Sequence, residues 1–293
     1  MAEKVCGKAY GKINIGLDVL RRRPDGYHEV KMIMQTVDIC DELEMELLDT
    51  DEIVIASDTS AIPNDQNNLI YKAIMKFREA TGETAGVKIS LTKRIPIAAG
   101  MAGGSSDAAC AMRLYNKLTG HHLPLTQLQQ IGVKIGADVP YCLQGGTALS
   151  EGIGEILTKL PTPPACHIVI AKPDISVSTK FVYEHLLLHD ETVHPDIDGM
   201  RACISSGDLD GICSRLGNVL ETVTVTEYPV IAQIKELLLT EGAKGALMSG
   251  SGPTVFAIFD REEAAKKAKE KLANSGLVKD CFVTGFIDCQ EEA

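Results

Sequence analysis

The chain has 293 residues, 45% of them hydrophobic, enough to bury a substantial core in one large or two ordinary domains. Its formal net charge of −11 repels polyanions, which excludes nucleic acid and anionic membranes as partners, and no apolar run reaches the length of a membrane span. The opening MAEKVCGKAY lacks a signal-peptide core and the nine cysteines include no CxxC pair, which points to a cytoplasmic protein with reduced, buried thiols and neither a zinc nor a disulfide framework.

Residues 8–20 alternate as a strand, with Ile13, Ile15 and Leu17 on one face and Lys12, Asn14 and Gly16 on the other, expected to be exposed. Pro24, Asp25 and Gly26 then signal a turn, directly followed by Tyr27 and His28. Residues 29–38, 42–48 and 53–56 read as three further strands. Helical spacing takes over at Leu69, Ile70, Ala73, Ile74 and Phe77, with Asn67 or Asn68 as the cap and Gly82 as the stop. A strand through Val87, Ile89 and Leu91 leads into PIAAGMAGGSSDAA, residues 96–109, and then into a helix for which Ser105 and Ser106 offer capping hydroxyls.

That loop gives up side chains to expose backbone. Small residues let main-chain N–H groups approach a ligand, and a helix start favours an anion, so the chemistry indicated is a phosphate cradle. Lys12, Lys93 and Arg94 are the cations available to it. The spacing is neither that of a Walker A loop nor that of a dinucleotide-binding fingerprint. Glycines alone would equally suit a tight connection.

Further on, 125–135 reads as a helix stopped by Gly136, and Asp138 is expected in a turn before an apolar strand that includes Cys142. A hairpin follows from Gly145. Pro161, Pro163 and Pro164 mark a linker, which divides the chain into domains 1–160 and 161–293. The second half opens with a strand at 167–172 and a helix carrying Tyr183. It ends in alternating elements at 230–240, 246–249, 255–259, 262–273 and 281–286, with Ser249 to Gly252 as a glycine-rich turn. The charge run from Lys266 to Lys271 reads as a solvated helix face.

The string from Lys93, KRIPIAAGMAGGSSDAA, resembles the ATP-binding motif of the GHMP kinases, and AYGKINIGLDVL, PDGYHEV, GADVPYCL and LMSGSGPTVFAIF resemble other family segments in family order. One departure is GMAGG at 100–104, where members often have GLGGG. The resemblance implies an α+β, two-domain GHMP kinase fold: an N-terminal, ATP-binding domain like the second domain of a small-subunit ribosomal protein and a ferredoxin-like C-terminal domain. It implies ATP and Mg²⁺ as cofactors. The nucleotide would meet Asn68, Lys93, Pro96, Ile97, Ala98, Ala99, Gly100, Met101, Ala102, Gly103, Gly104, Ser105 and Ser106, with Ser106 also touching the metal.

By the same resemblance Asp138 is the catalytic base and Lys12 stands between it and the acceptor hydroxyl. The match narrows to a subfamily whose small-molecule acceptor carries a cytidine diphosphate group, in non-mevalonate isoprenoid synthesis. There Asn14, Tyr27, His28 and Tyr183 would hold the cytidine end, with Tyr27 and Tyr183 as the base-stacking pair. A GHMP kinase of homoserine, mevalonate or a sugar would keep the loop without needing those aromatics. A non-catalytic nucleotide-binding regulator is the other class, and the presence of both Lys12 and Asp138 speaks against it.

Overall fold

The computed structural model describes residues 4–189 and 191–288. Two long antiparallel strands, β1 (Lys4–Arg22) and β2 (His28–Leu48), form the spine of the first sheet. Their turn is closed by Asp25, whose Oδ1 accepts from the Tyr27 N–H at 3.1 Å. β2 is continuous where two strands were expected, because it changes partners instead of breaking: β4 (Gly86–Thr92) pairs with 42–48 and β5 (Thr147–Gly152) with 30–35. β3 (Ile53–Ser57) runs parallel to β4, β6 (Ile156–Leu160) hairpins with β5, and the two-residue β8 (Gly217–Asn218) pairs with β1.

Four helices cover one side of this sheet: α1 (Leu69–Thr81), α2 (Gly103–Leu118), α3 (Leu125–Gly132) and α4 (Val139–Gln144). The α1 stripe of Ile70, Ala73, Ile74 and Phe77 packs with Val87, Ile89 and Leu91 of β4 and with α2. Asn68 caps α1, its Oδ1 accepting from the Ile70 N–H at 2.9 Å.

After β6 the chain crosses Pro161, Pro163 and Pro164 into a second sheet. Its strands β7 (His167–Lys172), β9 (Gly245–Met248), β10 (Val255–Phe259) and β11 (Asp280–Thr284) lie antiparallel in the order β11-β7-β10-β9, the ferredoxin-like order. Between β7 and β9 come α5 (Thr179–His185), α6 (Ile197–Ser206), α7 (Leu209–Ser214), α8 (Glu221–Glu227) and α9 (Val230–Thr240), and α10 (Glu262–Ala273) precedes β11.

The lobes meet across β1. Ile13 and Ile15 pack with Ile168, Ile170 and Phe256 of the second sheet and with Met200 of α6. A strand covered on both faces has no solvated side, and here the structure corrects the alternation: Lys12 and Asn14 are buried. The run after Asp138 is the helix α4, not a strand, since a six-residue segment carries too little periodicity to tell the two apart. Among the described residues no helix is long and apolar enough to cross a membrane. Among the described residues eight cysteines form no disulfide and four of these are buried; Cys6 is exposed, and Cys289 lies outside the described residues.

Candidate active site

A cleft of about 1150 Å³ opens between the lobes. Its first wall is the loop before α2. Ala98, Gly100 and Ala102 all take positive φ, and this alternation of hand turns main-chain N–H groups toward one side. At Gly100 only glycine fits, because a Cβ would stand 2.3 Å from the Ser249 carbonyl oxygen. That turn of the second lobe docks on the loop: Ser249 Oγ donates to the Gly100 carbonyl at 3.0 Å, and Gly250 and Ser251 line the cleft.

α2 starts at Gly103, earlier than its serines suggested, with Ala102 as an N-cap that makes no side-chain bond. Its first N–H groups, on Gly103, Gly104 and Ser105, are therefore free of intrahelical partners. Ser106 is turned inward instead. Its Oγ donates to the Tyr10 carbonyl and lies 3.3 Å from Cys142 Sγ, and its N–H bonds the Ala102 carbonyl at 2.9 Å. Ser106 is thus placed in the core, 3% exposed, and does not line the cleft. Met101 is likewise corrected to the core, where its side chain covers Gly11. Pro96, Ile97, Ala98, Ala99, Gly100, Ala102, Gly103, Gly104, Ser105, Asn68 and Lys93 all line the cleft, joined by Leu69.

The cations behave differently from expectation. Lys93 Nζ is locked between Asp41 and Asp107, 2.7 Å from the latter, and Arg94 turns out to Asp58 at 3.0 Å. Burial opposes the Lys93 charge, but its two carboxylates more than compensate and raise its pKa. Only Lys12 keeps a looser partner. Its Nζ donates to Asn14 Oδ1 at 2.8 Å and stands 3.5 Å from Asp138 Oδ2, and the Asp138 side chain is 30% exposed to the cleft. A strand residue and a helix N-cap are brought together here by the packing of α4 against β1.

The third group lies beyond this pair. His28 and Tyr183 bring their rings to 5.0 Å, while Tyr27 lines the cleft at 60% exposure. The ring beside Tyr183 is that of His28, tilted to it by 41°, and Tyr27 and Tyr183 both line the cleft. Burial, and then the Asp138 charge, raise the Tyr183 phenol well above its usual range. Burial and Arg22 lower His28, which favours its neutral ring. Asn14 is fully buried, its amide against Met32 Sδ at 3.2 Å.

Among the lining residues that the sequence reading did not single out, four are charged: Arg22, Asp107, Lys180 and Glu184. Asp107 follows Gly103 by one helical turn, and that i,i+4 spacing is the signal that would have placed it at the same helix end. Among the described residues no group of three or more His, Cys, Asp or Glu side chains is arranged to hold a metal ion.

Comparison with known proteins places this geometry. Residues 68–146 match the model of the GHMP kinases N terminal domain, and residues 196–278 that of the GHMP kinases C terminal. The 4-diphosphocytidyl-2-C-methyl-D-erythritol kinase of Lachnospira eligens is 50% identical over 96% of this chain and 98% of its own length. The enzyme of the same name from Enterococcus faecalis is 48% identical over 90% of this chain and 93% of its own. A crystal structure of 4-(cytidine 5'-diphospho)-2C-methyl-D-erythritol kinase superposes with a TM-score of 0.82 at 29% identity, covering 96% of this chain and 99% of that one.

Proposed function

The chain belongs to the GHMP kinases, and from that premise we propose that it transfers the γ-phosphoryl group of ATP to the 2-hydroxyl of 4-diphosphocytidyl-2-C-methyl-D-erythritol, a step of non-mevalonate isoprenoid precursor synthesis. The observation that carries the reading is the Lys12 and Asp138 pair, 3.5 Å apart in the same cleft as the glycine loop and the His28 and Tyr183 rings.

Phosphoryl transfer leaves little covalent work to the protein, so positioning and charge carry the rate. The N–H groups of Gly103, Gly104 and Ser105 hold phosphate oxygens at the start of α2. Asp138 takes the acceptor's hydroxyl proton as the new O–P bond forms; a carboxylate is too weak a base to remove it earlier. Lys12 holds the acceptor oxygen beside Asp138 and balances the charge that grows there. Asn14 fixes the Lys12 ammonium by accepting one of its protons. Tyr183, His28 and Tyr27 hold the cytosine end, with Arg22 and Lys180 as the nearby cations for its diphosphate.

Magnesium would enter with the nucleotide; because no group of three or more His, Cys, Asp or Glu side chains among the described residues is arranged to hold it, phosphate oxygens would supply most of its ligands. Bound there, it would supply charge neutralisation between the phosphates.

The test is a mass-spectrometric assay of the protein with Mg²⁺ and ATP against 4-diphosphocytidyl-2-C-methyl-D-erythritol, homoserine, mevalonate and galactose. The cytidylyl compound alone should gain a phosphoryl group. Labelling of any other acceptor in its place would move the substrate reading to that compound.

A further inference from the structure

The nucleotide loop and the turn of the second lobe meet on β1 in an arrangement that the scheme above leaves unused. The β1–β2 register slips on either side of the Lys12 and Asn14 segment. The N–H groups of these two residues serve the loop: that of Lys12 donates directly to the Met101 carbonyl at 3.1 Å, and that of Asn14 donates to Ser249 Oγ at 3.3 Å, which itself donates to the Gly100 carbonyl at 3.0 Å. Two alternate N–H groups of the strand that carries Lys12 thus hold two successive loop carbonyls, one directly and one across a hydroxyl from the second lobe. A serine hydroxyl has one proton to give and lone pairs to accept with, and here it uses both.

Ser249 is fully buried and does not line the cleft. Its turn is gripped from behind by Asn218, 6% exposed, whose Nδ2 donates to the Met248 and Gly250 carbonyls at 2.8 Å each while its Oδ1 accepts from the Leu220 N–H at 3.0 Å. Glu221 adds a bond from the Met248 N–H at 2.8 Å. On the acceptor side, Ser251 Oγ lies 2.8 Å from Thr179 Oγ1, at the start of the helix α5 that carries Tyr183.

In series, the two bonds of Ser249 keep Gly100 one hydroxyl further from β1 than Met101 is, at the place where Gly100, Lys12 and Asn14 all line the cleft. Reacting atoms must stand about 3–3.5 Å apart and in line, and a misplacement of about 1 Å costs about 10²-fold in rate. Without the hydroxyl, the Asn14 N–H and the Gly100 carbonyl lose their shared partner. A buried donor and acceptor left so draw together or turn to other partners, and either motion shifts the loop against the strand that holds Lys12. Resting on the reading that this loop holds ATP and Lys12 the acceptor, we propose that Ser249 is a positioning residue for phosphoryl transfer: its hydroxyl, held in place by Asn218, is the spacer that fixes the nucleotide loop relative to Lys12.

The experiment is steady-state kinetics of the full chain with magnesium ATP and 4-diphosphocytidyl-2-C-methyl-D-erythritol, with turnover expressed per molecule that binds magnesium ADP in calorimetry, so that unfolded protein does not count. Ser249→Ala should lower kcat at least roughly tenfold while KM for both substrates and Kd for ADP stay within about threefold, the split expected when donor and acceptor are both bound but misaligned. Asn218→Ala, outside the cleft, should lower kcat in the same way. The double variant should turn over within about threefold of Ser249→Ala, because clamp and hydroxyl act as one unit. A smaller fall in kcat for Ser249→Ala, a loss carried by KM, or single effects that multiply in the double variant would overturn the proposal and leave the kinase reading standing. Where Asn218→Ala fails to fold, Ser249→Ala decides alone. Absence of acceptor phosphorylation by the wild type would remove that reading, and the proposal with it.

Discussion

Two of the lysines that line the cleft, Lys93 and Lys12, are held in opposite ways. Lys93 is clamped by two buried carboxylates, Asp41 and Asp107, whereas Lys12 shares one neutral amide and one carboxylate that is 30% exposed and 3.5 Å away. The difference separates scaffold from reagent. An ammonium with its charge cancelled on both sides shapes a wall, and one with a loosely held partner can turn to a substrate oxygen. The carboxylates divide likewise: Asp138 is 30% exposed and open to take a proton, while Asp107 is enclosed against Lys93.

Replacing the reactive pair should have the largest effect. Asp138→Asn is expected to lower turnover by roughly 10²–10⁴-fold with nucleotide affinity retained, measured by steady-state kinetics beside calorimetry. Turnover near the wild type would take Asp138 out of the role of base. Lys93→Met, in contrast, should show itself in stability, costing about 3–5 kcal/mol by denaturant unfolding because two buried carboxylates lose their cation. Lys12→Met should abolish turnover at a smaller stability cost, since Asp138 can be hydrated. Equal stability losses in the two methionine variants would erase the distinction drawn between the lysines.

A pH series sharpens it further. The folded pKa of Asp107 lies above the ordinary value of 3.8, so its contribution is fully present below about 4 and is lost as pH rises through about 8. Wild-type stability should therefore decline from pH 5 to 9 relative to Asp107→Asn, and a constant gap between the two melting curves would contradict this. The smallest effect is expected at the far end of the cleft. Tyr183→Ala removes an aromatic contact of about 1 kcal/mol and should raise KM for the cytidylyl acceptor several-fold while leaving KM for ATP unchanged.

Elements whose pattern is long and locally punctuated were legible in the chain. The expected bounds 230–240, 255–259 and 262–273 coincide with α9, β10 and α10, where periodicity runs unbroken. The helices α6 and α7 had no apolar stripe long enough to announce them. Their signals were the caps Asp196 and Asp208, which accept from the Gly199 and Gly211 N–H groups. Within the site, Lys12, Asn14, Asp138 and most of the loop could be named from motif strings. Ser106 and Met101 could not be sorted from Ser105 and Ala102, because adjacent residues on a helix start differ only in which way they face once the helix is packed.

By itself, then, the sequence determined what is local: a loop of small residues before a helix, the strand and helix periods on either side of it, and the motif strings that mark the family. Tertiary structure decided which charges are free to act. Asp41 lies 52 residues from Lys93, and Asp138 joins Lys12 only because α4 packs against β1, so whether a lysine is clamped or available depends on long-range burial that no local pattern records.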